Sequence, residues 1–459
     1  MNDHLKRIND PSLDRAERLA ALKSHVEIFH VRQPSISRAN SEINNHIHTI
    51  YSFSPYAPAM AALMAKDARL GAAGSVDHDS IGAAEEMLEA CEILGIGGCV
   101  GFEVRVSFRT GADGNRSPFA DKKLNNPDSQ GYAYMTVQGI PRQNISRAAE
   151  FLVPIRAERL KRTRAMTVSA NALLREAGFP EIDFDGDIIA KSKYNEGGGI
   201  TERHLLAAMA DKIIQKYGNG HDIVIGLKEK MGITVSNTLA VRIICFDYPH
   251  YLYDLLGILK AHLLPSIYIQ PGEEECIPAN MVTAFAESIS AIPAYAYLGD
   301  VGESPTGDKK AEKFEDDYIE ELFAELSRLG YRAVAYMPPR NTLEQLLRLQ
   351  KLCAKWSFME ISGVDINSSR QSFNCPEVLR EESRHLLDTT WALIAHERLA
   401  TVNMRYGLFS DKNPLSSMSL SERLASYAGF GKRLDLHHPD ESAAALAVEI
   451  EKGNMFLSK

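Results

Sequence analysis

The stretch Ile43-Asn44-Asn45-His46-Ile47-His48-Thr49-Ile50 decides how the rest of the sequence is interpreted. Its apolar and polar residues alternate, which predicts a β-strand over residues 43–50. Side chains two residues apart point to the same side of a strand, with Cα atoms about 7 Å apart, so His46 and His48 lie side by side. Two imidazoles in this arrangement can bind one metal ion. Because structural histidines explain most single His-x-His pairs, the hypothesis needs support from other parts of the chain.

The segments that follow alternate between strand-like and helical patterns. After the first strand, helices are predicted at 56–67 and 80–94, and strands at 71–76, 99–108 and 132–137. Further along the chain, strands are predicted at 294–298, 333–337 and 359–364, and helices at 315–329 and 342–356. Regular alternation of this kind predicts an α/β fold with a parallel sheet or barrel.

The alternation is interrupted by a long helical region, which predicts four parts. Residues 1–40 are expected to be an N-terminal helical extension, and residues 401–459 a polar C-terminal tail. The barrel is discontinuous and comprises residues 41–150 and 288–400. Residues 151–287 form a helical insertion of domain size over the active site.

Composition excludes several classes of protein. The 459 residues carry a net charge of -9, which argues against a nucleic-acid-binding surface because phosphate backbones require clustered Lys and Arg. No apolar run approaches the ~20 residues that span a bilayer, and the charged N-terminus lacks a secretory h-region. The six cysteines form no CxxC pair, so buried free thiols are expected. A cytoplasmic protein without membrane or nucleic-acid partners is predicted, and its oligomeric state is left open.

Polar residues follow several of the predicted strands. They are Asp77-His78-Asp79, Glu103, Arg340-Asn341 and Asp365-Ile366-Asn367. In parallel α/β barrels, active sites form at the carboxyl ends of the strands. Two of these residues have a structural alternative: Asp79 as the N-cap of the helix that follows, and Glu103 as a solvated strand end.

Three ordered motifs carry a family resemblance. His46-Ile47-His48-Thr49 followed by Tyr51-Ser52, then residues 76–80, then Gly101-Phe102-Glu103 resemble the opening of the PHP (polymerase and histidinol phosphatase) family of metal-dependent phosphoesterases. The resemblance is strongest over residues 43–104, looser over 290–367 and absent elsewhere. It implies a distorted TIM-like barrel of seven strands that binds up to three metals, often zinc, manganese or iron.

The resemblance also implies a metal-ligand set, with departures. His46, His48, Glu103 and Asp365 match the ligands of one metal, and His78 matches a ligand of another. Phe53 stands where the family has an aspartate, and Asn367 and Tyr336 stand where it has histidines; the fourth strand contains no histidine. One well-occupied divalent transition-metal site is therefore expected, with at most a weak second site near His78.

Cationic residues predict an anionic substrate. Arg203 and His204 open a helix after Gly197-Gly198-Gly199, a place where free backbone N–H groups favour anions, although a flexible linker is an alternative interpretation. Arg340 and Arg370 follow strands, and Lys309 lies in a glycine-containing loop that is alternatively a solvated turn. Arg203, Arg340, Arg370 and Lys309 are thus candidate substrate-binding residues, and His78 or His204 a candidate catalytic proton carrier.

Together these features predict a metal-dependent hydrolase that acts on a small phosphorylated molecule through a metal-activated water. Two alternatives stay open. One is a catalytically impaired binding or regulatory protein of the same fold, and the other is a metal enzyme with chemistry other than phosphoester hydrolysis.

Overall fold

Seven strands form one sheet that follows the order of the chain. The computed structural model describes residues 3–29, 41–245, 250–301 and 312–452. The strand order in the sheet is β1 to β7. The strands are β1 (Ile43–Ile47), β2 (Ala72–His78), β3 (Gly97–Ser107), β4 (Tyr132–Gln138), β5 (Ile292–Tyr297), β6 (Ala333–Tyr336) and β7 (Met359–Ser362).

The sheet curls into a nearly closed barrel. Ile47, at the end of β1, makes a parallel bridge with Ile366, just after β7. The Nδ2 atom of Asn45 donates to the carbonyl of Ser362 at 2.9 Å, which joins the two outer strands directly. The expectation of a distorted, TIM-like barrel of seven strands is therefore confirmed.

One strand runs against the others. β4 pairs antiparallel with both β3 and β5, whereas the remaining neighbours are parallel. Ser107 at the end of β3 lies opposite Tyr132 at the start of β4, so the connecting segment stays at one end of the barrel. A parallel partner would have needed a crossover to the opposite end. The predicted parallel arrangement thus holds for every neighbouring pair of strands except the two that include β4.

Helices surround the barrel and fill the region between β4 and β5. In the described residues they are α1 (Asp3–Ile8), α2 (Arg15–Phe29), α3 (Pro58–Asp67), α4 (Ala84–Leu94), α5 (Ile145–Glu176), α6 (Glu202–Tyr217), α7 (His221–Met231), α8 (Asn237–Cys245), α9 (Tyr251–His262), α10 (Leu264–Ile267), α11 (Ala279–Ser288), α12 (Ile319–Arg328), α13 (Leu343–Trp356), α14 (His385–Val402), α15 (Leu420–Arg433) and α16 (Pro439–Glu451).

The strands and helices pack in two separate hydrophobic cores. The larger core contains the barrel strands, and the smaller contains α6, α7 and α9. α5 has 32 residues, which at about 1.5 Å each span about 48 Å. Its first turns, including Leu152, pack in the barrel core, while Met166 and Leu174 belong to the smaller core. This helix therefore connects the barrel with the insertion.

A cluster of opposite charges, called here the ionic clamp, fixes the insertion to the barrel. Arg159 of α5 donates to Asp79 after β2 at 2.5 Å and to Glu202 of α6 at 2.8 Å. One turn later, Arg162 donates to Glu202 and Glu275, both at 2.6 Å. Three carboxylates thus balance three guanidinium groups. The members of the clamp are Asp79, Arg105, Arg159, Arg162, Glu202 and Glu275.

A second connection fixes the insertion to the loop after β7. Arg370 donates from Nε and Nη2 to the two carboxylate oxygens of Asp254 in α9, at 2.6 and 2.5 Å. His250 Nδ1 lies 2.8 Å from the hydroxyl of Ser369 in the same loop. Arg370 was predicted to bind substrate, but its guanidinium holds this aspartate because the two residues meet at the edge of the insertion.

The C-terminal region differs from the expected polar tail. α15 and α16 pack on α14, and Gly431 lies so close to it that a Cβ there would be 2.1 Å from the carbonyl oxygen of Trp391. Of the six free cysteines, five are buried as expected, and Cys245 is exposed. Within the described residues, no helix is both long enough and apolar enough to cross a membrane.

Candidate metal centre

The two histidines of the opening motif lie together at the barrel mouth. His46 belongs to β1 and His48 follows it, and their ring centroids are 5.1 Å apart. The backbone N–H of His48 donates to the carbonyl of Ile366 at 2.9 Å, so barrel closure fixes its position. The sequence-predicted pair is thus brought together at one point.

The register of the sheet adds two ligands beside this pair. His78 of β2 is the direct partner of Glu103 in β3. Its Nδ1 lies 2.8 Å from Glu103 Oε2, and its ring centroid lies 4.5 Å from that of His48. β2 extends to His78, two residues beyond the predicted strand, which places this imidazole on the sheet rather than in the following loop.

The loop after β7 completes the cluster. Oδ1 of Asp365 lies 3.3 Å from His48 Nε2. Asn367, which stands where the resemblance implies a histidine, donates from Nδ2 to the same Oδ1 at 2.7 Å. The asparagine therefore orients a carboxylate of the cluster.

The geometry of these residues suits a metal ion. Two sets of ligand atoms, His46/His48/Asp365 and His48/His78/Glu103, each lie within 4.8 Å of one another. Two ligands of one zinc ion are at most about 4.6 Å apart, so either set needs little adjustment. Within the described residues, His48 Nε2 and His78 Nδ1 are buried and lack a well-formed hydrogen bond. The types of the ligand atoms, the distances between them and the buried imidazole nitrogens are all suitable for binding a divalent cation.

The pKa shifts of His46, His78 and Asp365 favour the forms that bind a metal, whereas those of Glu103 and His48 oppose them in the absence of a cation. Burial raises the pKa of Glu103 and lowers the pKa of His46, and burial together with His48 keeps the pKa of His78 well below its usual value. Burial also opposes ionisation of Asp365, yet the adjacent His48 holds the pKa of Asp365 well below its usual range. Burial would lower the pKa of His48, but Asp365 raises it. Neutral imidazoles and an ionised carboxylate are the forms that bind metals.

A hydrogen-bond chain orients His48 from behind. Asp77 accepts from the Thr49 amide and from the Ser52 hydroxyl, both at 2.6 Å, and Ser52 Oγ lies 3.3 Å from His48 Nδ1. Nε2 of His48 is thereby left facing the cluster. Sequence reasoning did not assign this role to Asp77, although its position at the end of β2 beside His78 was a local signal.

A cavity of about 220 Å³ opens onto the cluster. Both barrel and insertion line it, including His46, Glu103, Arg203 and Arg340. Arg203 lies over the ring of Phe53, with Cζ 5.7 Å from the centroid, and within the described residues it has no ion pair or hydrogen bond. Arg340 donates from Nε to the carbonyl of Leu298 at 3.3 Å. Two of the predicted cations are thus placed at the cavity, while Lys309 lies outside the described residues.

His204 is placed differently. Its Nδ1 accepts from the backbone N–H of Thr201 at 3.0 Å, which forms a capping box at the start of α6. Its ring packs against Phe53 at 5.0 Å, burial lowers its pKa to about 3, and it is not among the described residues that line the cavity. The capping role accounts for this histidine and leaves no observation in favour of a catalytic one.

The glycine triplet is neither a linker nor an anion cradle. The backbone N–H of Gly199 donates to the carbonyl of Tyr51 at 2.8 Å, and those of Gly197 and Gly198 donate to carbonyls of the preceding turn. A Cβ at Gly199 would lie 2.4 Å from the carbonyl oxygen of His78. The triplet therefore allows the insertion to contact the barrel mouth closely.

Contacts account for two further polar side chains, and for Asp79 they exclude one of the interpretations considered above. Asp79 is not an N-cap, because α4 begins at Ala84 and the carboxylate of Asp79 pairs with Arg159. The hydroxyl of Tyr336 donates to Glu360 at 2.6 Å, which engages this residue with its neighbouring strand.

The antiparallel direction of β4 adds a residue that sequence reasoning missed. Tyr134 lies near the start of β4, at the barrel mouth, and lines the cavity, with its ring centroid 5.8 Å from that of His78. Burial raises the pKa of its hydroxyl well above the usual value, so it remains a neutral hydrogen-bond donor.

Two solved structures are similar to the chain in their overall arrangement. One is an amidohydrolase from Chromobacterium violaceum with bound sulfate and no metal, which is 17% identical with a TM-score of 0.48 over 75% of this chain and 96% of that one. The other, from Bifidobacterium adolescentis, is proposed to be a metal-dependent phosphoesterase; it is 17% identical with a TM-score of 0.46 over 73% of this chain and 93% of that one. No protein-family model and no curated protein matches the sequence. The function of this chain is therefore inferred from its own residues.

Proposed function

We propose that this protein is a metal-dependent hydrolase of the PHP type that acts on a small phosphorylated molecule. The observation that carries the proposal is the convergence of five side chains of metal-ligand type, four of which line one cavity together with Arg203, whose guanidinium has no ion pair or hydrogen bond within the described residues. The ligand side chains are His46, His48, His78, Glu103 and Asp365.

The cluster is suited to hold one divalent cation fully. His48 belongs to both sets of ligands, but its Nδ1 faces Ser52, so only Nε2 is available. One nitrogen lone pair binds one ion, and the two sets cannot both be complete. A divalent cation at this place supplies a Lewis acid and lowers the pKa of a bound water.

Arg203 supports an anionic substrate. Burying a guanidinium group costs free energy, because the charge loses its hydration. An anion that pairs with the group offsets this cost. Within the described residues, Asp365 is the carboxylate that raises the pKa of Arg203 against the effect of burial, and Asp365 belongs to the metal-ligand cluster. Phosphate oxygens provide several acceptors for the planar donors of arginine. The same cavity therefore offers ligands for a metal and a donor for a phosphate group.

His78 supports proton handling beside the substrate. Burial keeps the pKa of His78 well below the usual value, so its imidazole is neutral near pH 7 and is by itself a weak base. Proton uptake by His78 therefore depends on Glu103, whose Oε2 lies 2.8 Å from Nδ1 and stabilises the imidazolium. Tyr134, on the adjoining wall, remains a neutral donor for a substrate oxygen.

Metal analysis and phosphatase assays on matched variants test the proposal. We expect about one equivalent of zinc, manganese or iron per wild-type chain and hydrolysis of 4-nitrophenyl phosphate. His48→Ala should lose the metal and the activity together. His262→Ala changes an exposed histidine at the end of α9 and should retain both.

Two results would overturn the proposal. Metal content in His48→Ala equal to that of the wild type would show that this cluster does not hold the ion. Metal bound at the expected stoichiometry without hydrolysis of any phosphoester in a panel of alkyl, sugar and aryl phosphates would indicate a different reaction or a binding role.

A further inference from the structure

A row of side chains on β4 faces the interior of the barrel below the metal centre. Thr136 is the direct partner of Glu103, whose carboxylate faces that interior, so Thr136 and its alternate neighbours Tyr134 and Gln138 face the same way. Gln138 lies opposite Gly101, where a Cβ would be 3.1 Å from Cγ of Gln138. The glycine therefore leaves room for the glutamine side chain inside the barrel.

The amide of Gln138 is buried with one end unsatisfied. The residue is 2% exposed and lines the cavity. Its Nε2 lies 3.2 Å from Thr136 Oγ1, whereas its Oε1 has no hydrogen-bond partner in the described residues. Rotation of the amide by 180° would exchange the two ends and leave the NH2 group unsatisfied instead. In either orientation, one hydrogen-bonding group of the amide has no partner among the described residues.

The cavity that Gln138 lines also reaches small side chains of the next two strands. Ala296 of β5 and Ala335 of β6 are register partners and line the cavity together with Ile361 of β7. Ala296 is four residues beyond Ile292, the register partner of Gln138, so the space that the two alanines leave lies nearer the barrel mouth than the amide. Gln138 lies two residues from Thr136 along β4, which is about 7 Å below the level of Glu103.

We propose that Gln138 forms a specificity subsite for a hydroxyl or amide group of the substrate, so that the preferred phosphoesters carry a polar group about three carbons from the phosphate. This inference rests on the proposed function, since the phosphate is assigned to the metal centre and Arg203. Alkyl phosphates without the polar group would leave the amide of Gln138 unsatisfied and bind more weakly.

Binding of two matched phosphonates tests the subsite without requiring hydrolysis. The probes are 4-hydroxybutylphosphonate and pentylphosphonate, which have equal numbers of heavy atoms and differ only in a terminal hydroxyl or methyl group. Isothermal titration of the purified full-length protein should show about tenfold tighter binding of the hydroxylated probe, the usual effect of one neutral hydrogen bond. Gln138→Met should remove this preference, and the exposed control Gln143→Met should retain it.

A shorter probe tests the depth of the subsite independently. Methylphosphonate should bind the wild type and Gln138→Met equally, because only the long chains reach Gln138. Equal binding of the two long probes by the wild type, a preference that persists in Gln138→Met, or failure to bind either long probe would overturn the inference. Intact probe discrimination in a protein that hydrolyses no phosphoester would contradict the proposed function alone.

Discussion

Replacing Glu202 by glutamine should loosen the insertion from the barrel. Its carboxylate accepts from Arg159 at 2.8 Å and from Arg162 at 2.6 Å, and it lies 3.3 Å from Arg105. In Glu202→Gln the ionic clamp would carry three guanidinium groups and two carboxylates. One buried positive charge would then be uncompensated.

The cost follows from the burial of the clamp. Removing one partner of a buried ion pair costs about 3–5 kcal/mol. The side chain of Glu202 is 14% exposed, and glutamine still accepts one hydrogen bond, so we expect the lower end, about 3 kcal/mol. That free energy corresponds to roughly a 100-fold increase in the population in which the insertion is open.

Hydrogen–deuterium exchange with mass spectrometry measures this population directly. We expect peptides of α6 to exchange about 100-fold faster in Glu202→Gln, while peptides of α14 in the barrel core stay unchanged. Glu196→Gln is the matched control, because Glu196 is 52% exposed, so that solvent screens its pair with Lys193. An ion pair with an exposed partner contributes at most about 1 kcal/mol to the free energy of unfolding.

The result that would refute the reasoning is an α6 exchange rate in Glu202→Gln within threefold of that in Glu196→Gln.

The effect of Glu202→Gln on α6 exchange should also depend on pH in a defined direction. Burial opposes ionisation of Glu202, but the three arginines hold its pKa well below the unfolded-state value of 4.5. Its stabilisation is therefore present above pH 4.5 and is lost as the pH falls, so the wild type and the variant should converge in acid.

Two other predictions concern single carboxylates. Asp77→Asn should weaken zinc binding by about 10- to 100-fold, because Asp77 orients His48 through Ser52; unchanged affinity in a competitive chelator titration would contradict this. Glu397 accepts from the Val100 amide, and burial raises its pKa from 4.5 to about 8. The stability that its protonated form contributes is complete below pH 4.5 and is lost as the pH rises through about 8. The melting temperature of Glu397→Gln should therefore depend less on pH over this range than that of the wild type. An identical pH dependence of the two melting temperatures would contradict this prediction.

The parts of the fold that could be predicted from the sequence depend on local periodicity. Each strand of the barrel appears as a short apolar or alternating segment, and the order of the strands follows the chain. The convergence of His46, His48 and Glu103 follows from the same pattern, because successive parallel strands end at the same face. The strands and this convergence could be predicted from residues close together in the sequence, without knowledge of contacts between distant residues.

The direction of β4 could not be predicted in this way. A strand of seven residues has the same alternation whichever way it runs. The direction depends on whether the segment between Ser107 and Tyr132 crosses the barrel, which local patterning does not determine. As a result, the sequence did not indicate that Tyr134, near the start of β4, lines the cavity.

The roles of the cationic residues were decided by distant partners. Arg370 pairs with Asp254, which lies 116 residues earlier in the chain, and no local feature indicates this pair. His204 is a different case, because Thr201 stands three residues before it and the spacing of a capping box was visible in the sequence. The helical C-terminal region was likewise predictable in part from Ser419 and Glu422, which form a second capping box.

Closure of the barrel has a consequence for the time at which the protein becomes functional during synthesis. The contacts that join β1 to the loop after β7 connect residues 320 positions apart, such as Asn44 and Val364. At translation rates of about 5–20 residues per second, the first strand waits roughly 15–60 s for its final neighbour. Because Asp365 emerges at the same late stage, the nascent chain has His46 and His48 available long before the carboxylate that completes their set. Binding of the proposed metal ion and closure of the barrel should therefore occur together, once the residues that follow β7 have been synthesised.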